Sequence, residues 1–389
     1  MARRLKGEGS FSKKIINNHE YIRYTVTVKV EGKSKRMYFY GSNETECKRK
    51  YKEWKQKQAA NSNNKLTFAA QYKKWLFEER QSQLKPSTFE RYYGIYKNYV
   101  KTSSLSEMKL TDITKDDIKK YFKGLSKKLP ITTVKNVYRY IKPFFVYAVN
   151  EELIVKDVCI YEFPKSYEVE EEEQFILLDK SQQLKFVKAL KGDSMELVIL
   201  LGLTCGLRLG EILALSYNDF DFDNNLISIN KSLKRIPHIN ENGNRIYEDK
   251  VMKPKTKNSV RKVPVPEFLI PLIKQQHKAN MENKLKLGKE YCDKGLLFCK
   301  ENGVNIDTKL PNRHLKSILK KNNLPNIRFH DLRGIFISNC VNNNINPKVI
   351  QQLAGHSNLN VTMMHYARIT KEKMIESSVT INEAFKNLF

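Results

Sequence analysis

Four short segments of the chain carry residues whose types and spacing suit transfer of a phosphodiester. Arg208 and Glu211 lie in Gly206-Leu-Arg-Leu-Gly-Glu211, and His330 and Arg333 in His330-Asp-Leu-Arg333. His356 lies in Ala354-Gly-His-Ser357, and Tyr366 follows ten residues after it. The fourth segment is Lys253-Pro-Lys-Thr-Lys-Asn-Ser-Val-Arg-Lys-Val-Pro-Val-Pro266, with basic residues at an expected turn and apolar ones behind. Cutting a nucleic-acid backbone without a metal needs a nucleophile for phosphorus and cations for the non-bridging oxygens. It also needs a proton donor for the leaving oxygen and a base for the nucleophile. An arginine offers a planar fork to phosphate oxygens. A histidine moves protons near neutral pH. A lysine on a hairpin could reach a leaving oxygen in the minor groove. Each piece alone has an ordinary explanation. Arg208 could simply pair with Glu211, HxxR is a common accident, and the chain holds 20 tyrosines, so any one of them is by default structural.

The surrounding patterns indicate how such residues would be held. The apolar run Leu197 to Leu203 reads as a buried helix, ended by Gly206 in a left-handed conformation. Arg208 then stands at the junction with a helix over Glu211 to Leu215, and Glu211, three residues on, shares its face. His330 and Arg333 stand at i and i+3, on one face of a helix. A helix starting near Pro347 ends at Gly355, so His356 projects from the turn. Asn360 can cap a short helix over Val361 to Ala367 that carries Tyr366. A strand pair is expected near Leu226–Lys231 and Lys250–Val265.

Upstream lie two further regions. Residues 1–60 hold 16 Lys and Arg against 6 Asp and Glu, too basic for a neutral scaffold. Tyr21 to Val30 alternates like a strand, Glu31-Gly-Lys33 suits a turn, and Arg36 to Tyr40 returns. Asn43 is placed to cap a helix with Glu44 and Glu46 in its first turn. Such a basic ribbon fits a DNA groove. Ala59 to Lys65 reads as a linker. Residues 65–165 read as helical. Phe68, Tyr72, Trp75 and Leu76 recur at helical spacing, and Pro86-Ser-Thr88 opens a helix to about Lys101. Thr114 with Asp117 has the form of a capping box, and Thr132/Thr133 starts a fourth helix. The aromatic residues are expected in the core. The acidic run between Pro164 and Gln174 reads as a solvated hinge.

The chain has 389 residues, enough for roughly two or three domains. Its formal charge of +28 calls for a polyanionic partner. No apolar run approaches the roughly 20 residues of a spanning helix, which disfavours a membrane partner. Met1-Ala-Arg-Arg-Leu-Lys6 lacks the apolar core of a secretory signal. Cys47, Cys159, Cys205, Cys292, Cys299 and Cys340 are scattered, which suits reduced thiols in the cytoplasm and no zinc site.

Taken in order, Arg, Lys, HxxR, His, Tyr, these residues resemble the tyrosine recombinase (phage integrase) family, including the integrases of conjugative transposons and temperate phages. The resemblance runs from about Phe175 to the end. It implies a multidomain, mainly α protein with small β elements. Residues 1–60 would be an arm-type DNA-binding module, 65–165 a helical, SAM-like core-binding domain, and 175–389 a mixed α+β catalytic domain. It implies a site-specific recombinase that integrates and excises a mobile element through a 3′-phosphotyrosyl link, without metal, ATP or other cofactor. Arg208 and Arg333 would clamp the phosphate, with Glu211 and His356 in support. Lys255, or else Lys257, would protonate the leaving oxygen, His330 would assist proton transfer, and Tyr366 would be the nucleophile. Gly334 stands where many members have His, and Ala354 where many have Leu; neither is a catalytic position. The implied partners are double-stranded DNA at core and arm sites, three further copies in a tetramer on DNA, and an accessory directionality factor. The apolar positions of Lys371 to Phe389 would pack on a neighbouring copy or fold back in cis. The same chemistry would serve a type IB topoisomerase, and a DNA-binding regulator with vestigial residues is the reading from another class.

Overall fold

The computed structural model describes residues 9–16, 19–30, 33–62, 66–163, 178–253, 259–356, 358–360 and 362–364. The acidic run, Lys255, Lys257, Tyr366 and the Lys371–Phe389 tail lie outside them. Two units emerge: Met1–Ser166 with Ile239–Asn244, and Tyr167–His238 with Arg245–Phe389.

The first unit begins with an antiparallel sheet of β1 (Ser10–Ile16), β2 (His19–Val30) and β3 (Lys33–Gly41), in that spatial order. The expected ribbon is therefore present, with β1 as an additional strand. β1 is mostly exposed and carries Lys13 and Lys14, so it lacks the alternation that marks β2. Helix α1 (Glu44–Ser62) packs the Tyr51 ring against Tyr24 and Phe39. Asn43 caps it, its side-chain oxygen accepting from the Glu46 amide at 2.8 Å. The helix runs on through the expected linker start at Ala59, because Ala59 and Ala60 are strong helix formers.

The helical part holds α2 (Phe68–Trp75), which continues through a π-helical turn Leu76–Arg80 into the short α3 (Gln81–Gln83). Then come α4 (Pro86–Ile95), extended by a second π-helical turn Tyr96–Val100, α5 (Lys115–Ser126) and α6 (Ile131–Asn150). Thr114 and Asp117 form the expected capping box. The last helix starts at Ile131 rather than at Thr132 or Thr133, since Pro130 carries the N-cap position. Phe68, Tyr72, Trp75, Phe122, Phe144 and Phe145 are buried together, so the aromatic residues are core. The Tyr72 hydroxyl donates to the Tyr140 carbonyl at 2.9 Å, which satisfies the one polar atom of a fully buried ring.

The second unit is built around α8 (Glu196–Cys205), preceded by α7 (Lys180–Leu190). Leu197 to Leu203 are all buried, so α8 is covered on every side. Around it stand α9 (Leu209–Ile212), a sheet in the order β4 (Phe220–Asp221), β5 (Leu226–Ile229), β8 (Arg261–Pro264), and helices α10 (Ile270–Leu287), α11 (Leu310–Lys321), α12 (Phe329–Asn342) and α13 (Pro347–Ala354). The expected strand pair is β5 with β8, in register Ile227 to Val263 and Ile229 to Arg261. Between them, β6 (Ser232–Ile239) and β7 (Arg245–Met252) form a separate two-stranded hairpin that the sequence reading merged into the pair. β7 is exposed along its whole length, so no apolar alternation marked it.

Candidate active site

Helix caps set the framework. Gly206 ends α8 at φ +63°, and a Cβ there would lie 2.3 Å from the Phe336 ring. Only glycine meets both demands. The chain turns at once into α9, which starts at Leu209 rather than Glu211, with Arg208 as its N-cap. Glu211 occupies the third helical position, and its Oε2 accepts from the Arg208 amide at 2.9 Å. The carboxylate thereby fixes the backbone of the residue whose guanidinium it also binds, through Arg208 Nη1 to Glu211 Oε1 at 2.8 Å.

Gly355 ends α13 in the same left-handed way, at φ +64°. Its carbonyl accepts from Arg208 Nη2 at 3.0 Å, so the turn before His356 is tied directly to Arg208. The His356 ring is held from the other side, its Nδ1 lying 2.9 Å from the hydroxyl oxygen of the buried Thr362. Residues 359, 360 and 362–364 are helical, and the Asn360 amide donates to the Asn358 side chain. Asn360 therefore lies inside that helical stretch and does not cap it. Asn358 serves because its side-chain oxygen meets the amide two residues on.

α12 carries both residues of the HxxR pair. Arg333 is buried at 3% exposure, and its Nη1 donates to the Gly206 carbonyl at 2.8 Å. Its Nη2 is buried and makes no hydrogen bond among the described residues. A buried, unmet cationic donor is costly unless an anion completes it. Burial, and then the nearby Arg208 and Arg261 charges, pull the Arg333 pKa down to about 9, so it stays charged at neutral pH. His330, on the same helix, is exposed to solvent. Desolvation around its ring, then Arg333 and Arg208, lower its pKa below 6.5. Both shifts show that Arg208, Arg333 and His330 share one field. An open recess of about 360 Å³ is lined by Arg208, Asn312, Lys316, Arg328 and His330. A larger recess of about 790 Å³, in the first unit near Leu110 and Ile154, mixes acidic Glu53, Asp116 and Glu152 with Lys115 and Lys156, and none of its lining residues is an arginine or a histidine.

Arg261 is the residue that sequence reasoning missed. Its Nη1 and Nη2 donate to the two Glu211 oxygens at 3.1 and 2.9 Å, and its Nε to the Leu353 carbonyl at 2.6 Å. Burial would raise the Glu211 pKa, but the Arg261 hydrogen bonds and charge, with Arg208, hold it at about 2. Two guanidiniums, Arg208 and Arg261, thus share one carboxylate, and with the charge of Arg333 in the same field this leaves an excess of positive charge suited to a phosphate diester. The structure brings Arg208, Glu211, Arg333 and the turn before His356 together, with His330 at the rim. No group of acidic, His or Cys residues suited to a metal occurs among the described residues.

Comparison with known proteins decides the family. The model of the phage integrase family matches residues 176–373, and the N-terminal SAM-like domain of phage integrases matches residues 67–126. A tyrosine recombinase XerC-like protein of Caldanaerobacter subterraneus subsp. tengcongensis is 32% identical over 381 residues, 95% of this chain and 97% of that one. This chain belongs to the phage integrase family. It is a tyrosine-type site-specific DNA recombinase. The transposase from transposon Tn916 of Enterococcus faecalis is 28% identical over 260 residues, 64% of this chain and 62% of that one. The Tn1549 transposon integrase, solved in complex with a circular intermediate DNA, shares the recombinase's fold at a TM-score of 0.60. It is 23% identical and covers 79% of this chain and 99% of its own. The mainly helical architecture with small antiparallel sheets is therefore the family's. No helix among the described residues is long and apolar enough to cross a membrane.

Proposed function

We propose that this recombinase integrates and excises its element by attack of the Tyr366 hydroxyl on the scissile phosphorus. The attack forms a 3′-phosphotyrosyl bond and breaks the bond to the 5′ oxygen. Arg208 and Arg333 bind the non-bridging oxygens, where negative charge grows in the transition state. The observation that carries this reading is the buried Arg333 Nη2, a donor that no described residue meets, in the same field as the outward-facing Arg208. His330, uncharged at neutral pH, accepts the tyrosine proton, and His356 adds a further contact to the phosphate. Lys255, or Lys257 in its place, supplies the proton to the leaving 5′ oxygen. The phosphoester energy is kept in the protein–DNA bond, so a 5′-hydroxyl from a second duplex reverses the step and joins the new strands.

On this reading residues 1–60 bind arm sites, 65–165 hold the core site, and 175–389 perform the chemistry. The charge of +28 supports so large a contact with DNA. Strand exchange cuts two duplexes in pairs, so the working unit is a tetramer on DNA. An accessory directionality factor biases excision, and the protein works in the bacterial cytoplasm on the nucleoid. The test is incubation with a nicked duplex bearing an element end, followed by denaturing electrophoresis. A denaturation-resistant protein–DNA band lost in Tyr366→Phe supports the reading. A band that persists in that variant removes Tyr366 as nucleophile. Relaxation of any supercoiled plasmid, without need of a defined site, would favour topoisomerase-like behaviour.

A further inference from the structure

We propose that Arg261 is a positioning residue for the cleavage step, acting through Glu211 on Arg208 and through Leu353 on the His356 turn. The inference rests on the reading of Arg208 as a phosphate clamp. Arg261 opens β8, and its guanidinium reaches away from the strand into the centre of the site. The Arg261 and Glu211 side chains are each 6% exposed, whereas Arg208 is 38% exposed. Arg261 therefore has little access to DNA, and Arg208 has ample access.

The hydrogen bonds around Glu211 explain why a second arginine is needed. Oε1 accepts from Arg208 Nη1 and Arg261 Nη1, and Oε2 from the Arg208 amide and Arg261 Nη2. All four acceptor directions of the carboxylate are used. With its charge matched by Arg261, Glu211 orients Arg208 without consuming the positive charge that a phosphate needs. Without Arg261 the carboxylate would turn wholly towards Arg208, and the guanidinium nitrogens would leave their present directions. The third bond, Nε to the Leu353 carbonyl, pins the last turn of α13 two residues before Gly355. The Gly355 carbonyl in turn receives Arg208 Nη2. One side chain thus closes a ring of hydrogen bonds through the Arg208 motif and the His356 turn. In sequence it also follows Lys255 by six residues and Lys257 by four, so it anchors the strand that leads out of the lysine segment. Lysine at this position has a point charge and cannot span both carboxylate oxygens and a carbonyl in one plane.

The experiment compares the full-length protein with Arg261→Lys on a nicked duplex at saturating enzyme. It reads the single-turnover rate constant, the amplitude of covalent product and, separately, the Kd for DNA. Misplacement of reacting groups by about 1 Å costs on the order of 100-fold. The expected result is a rate constant lowered by about 10- to 100-fold, with the amplitude and Kd of the parent. A role in stability alone would lower the amplitude and leave the rate constant of the folded fraction unchanged, and that outcome overturns the proposal. Should Arg261→Lys not fold, the double variant Glu211→Gln/Arg261→Gln removes both buried charges and keeps amide hydrogen bonds. Slow cleavage by the folded double variant supports positioning, and parent-like cleavage overturns it. Failure of both variants to fold makes Arg261 a stability element and likewise overturns the assignment. Arg208→Ala separates this inference from its premise. Parent-like cleavage by that variant removes the phosphate role of Arg208 itself. Abolished cleavage there, beside parent-like Arg261→Lys, removes only the role of Arg261.

Discussion

Replacing Glu211 by glutamine should destabilise the catalytic unit by an amount that can be worked from the site. The Glu211 side chain is 6% exposed and its carboxylate lies between two arginines, which hold its pKa at about 2 against an ordinary 4.5. Each tenfold change in proton affinity is worth about 1.4 kcal/mol, so the charged form gains about 3 kcal/mol from its surroundings. Breaking a buried ion pair by removing one partner costs roughly 3–5 kcal/mol, which agrees. For a body of this size, about 2–4 °C is lost per kcal/mol, so Tm should fall by roughly 6–12 °C near neutral pH. The pH dependence follows from the direction of the shift. A depressed carboxylate contributes fully above its ordinary value of 4.5 and loses that contribution as pH falls towards 2. The gap in Tm between parent and Glu211→Gln should therefore be constant through neutral pH and narrow on acidification below 4.5. Thermal unfolding followed by circular dichroism across that range measures both. A gap below about 2 °C at neutral pH, or one that widens on acidification, refutes the reasoning.

Gly206→Ala places a Cβ against the Phe336 ring at 2.3 Å and at φ +63°, so it should cost about 2–4 kcal/mol in thermal unfolding. Thr362→Val removes the hydroxyl that lies 2.9 Å from His356 Nδ1. Single-turnover cleavage should fall roughly 5- to 10-fold at an unchanged Kd, and an unchanged rate would detach the His356 orientation from catalysis. Because the pKa of His330 lies below 6.5, the base form prevails at neutral pH. The second-order cleavage rate should hold through neutral pH and decline only as acidification passes that lowered value. His330→Gln should abolish this acid limb, and a limb that survives the substitution belongs to another group.

The parts of the site that were legible in the sequence are those fixed by neighbours a few residues away. Gly206 and Gly355 ending their helices, Asn43 and Thr114 opening theirs, and Glu211 beside Arg208 are all local events with local signatures. Arg261 was not legible because its partners lie 50 and 92 residues away and are brought in only by packing of β8 against α9 and α13. In the sequence it was one more basic residue in a basic hairpin. The hairpin of β6 and β7 escaped for the opposite reason. Its second strand buries nothing, so no alternation of apolar residues could mark it. Asn360 was misplaced as a cap because Asn358, two residues earlier, offers the same side chain and meets the amide first.

The most direct test of the account is to locate the covalent bond itself. The protein–DNA adduct would be trapped on a nicked duplex, digested with nuclease and trypsin, and analysed by tandem mass spectrometry. Cleavage after Lys348 and Arg368 yields a peptide, Val349 to Arg368, in which Tyr366 is the sole tyrosine. The account predicts a nucleotide mass on that peptide, localised to Tyr366, and none in the Tyr366→Phe variant. A nucleotide attached to another tyrosine, or to His356 or His365, would contradict it.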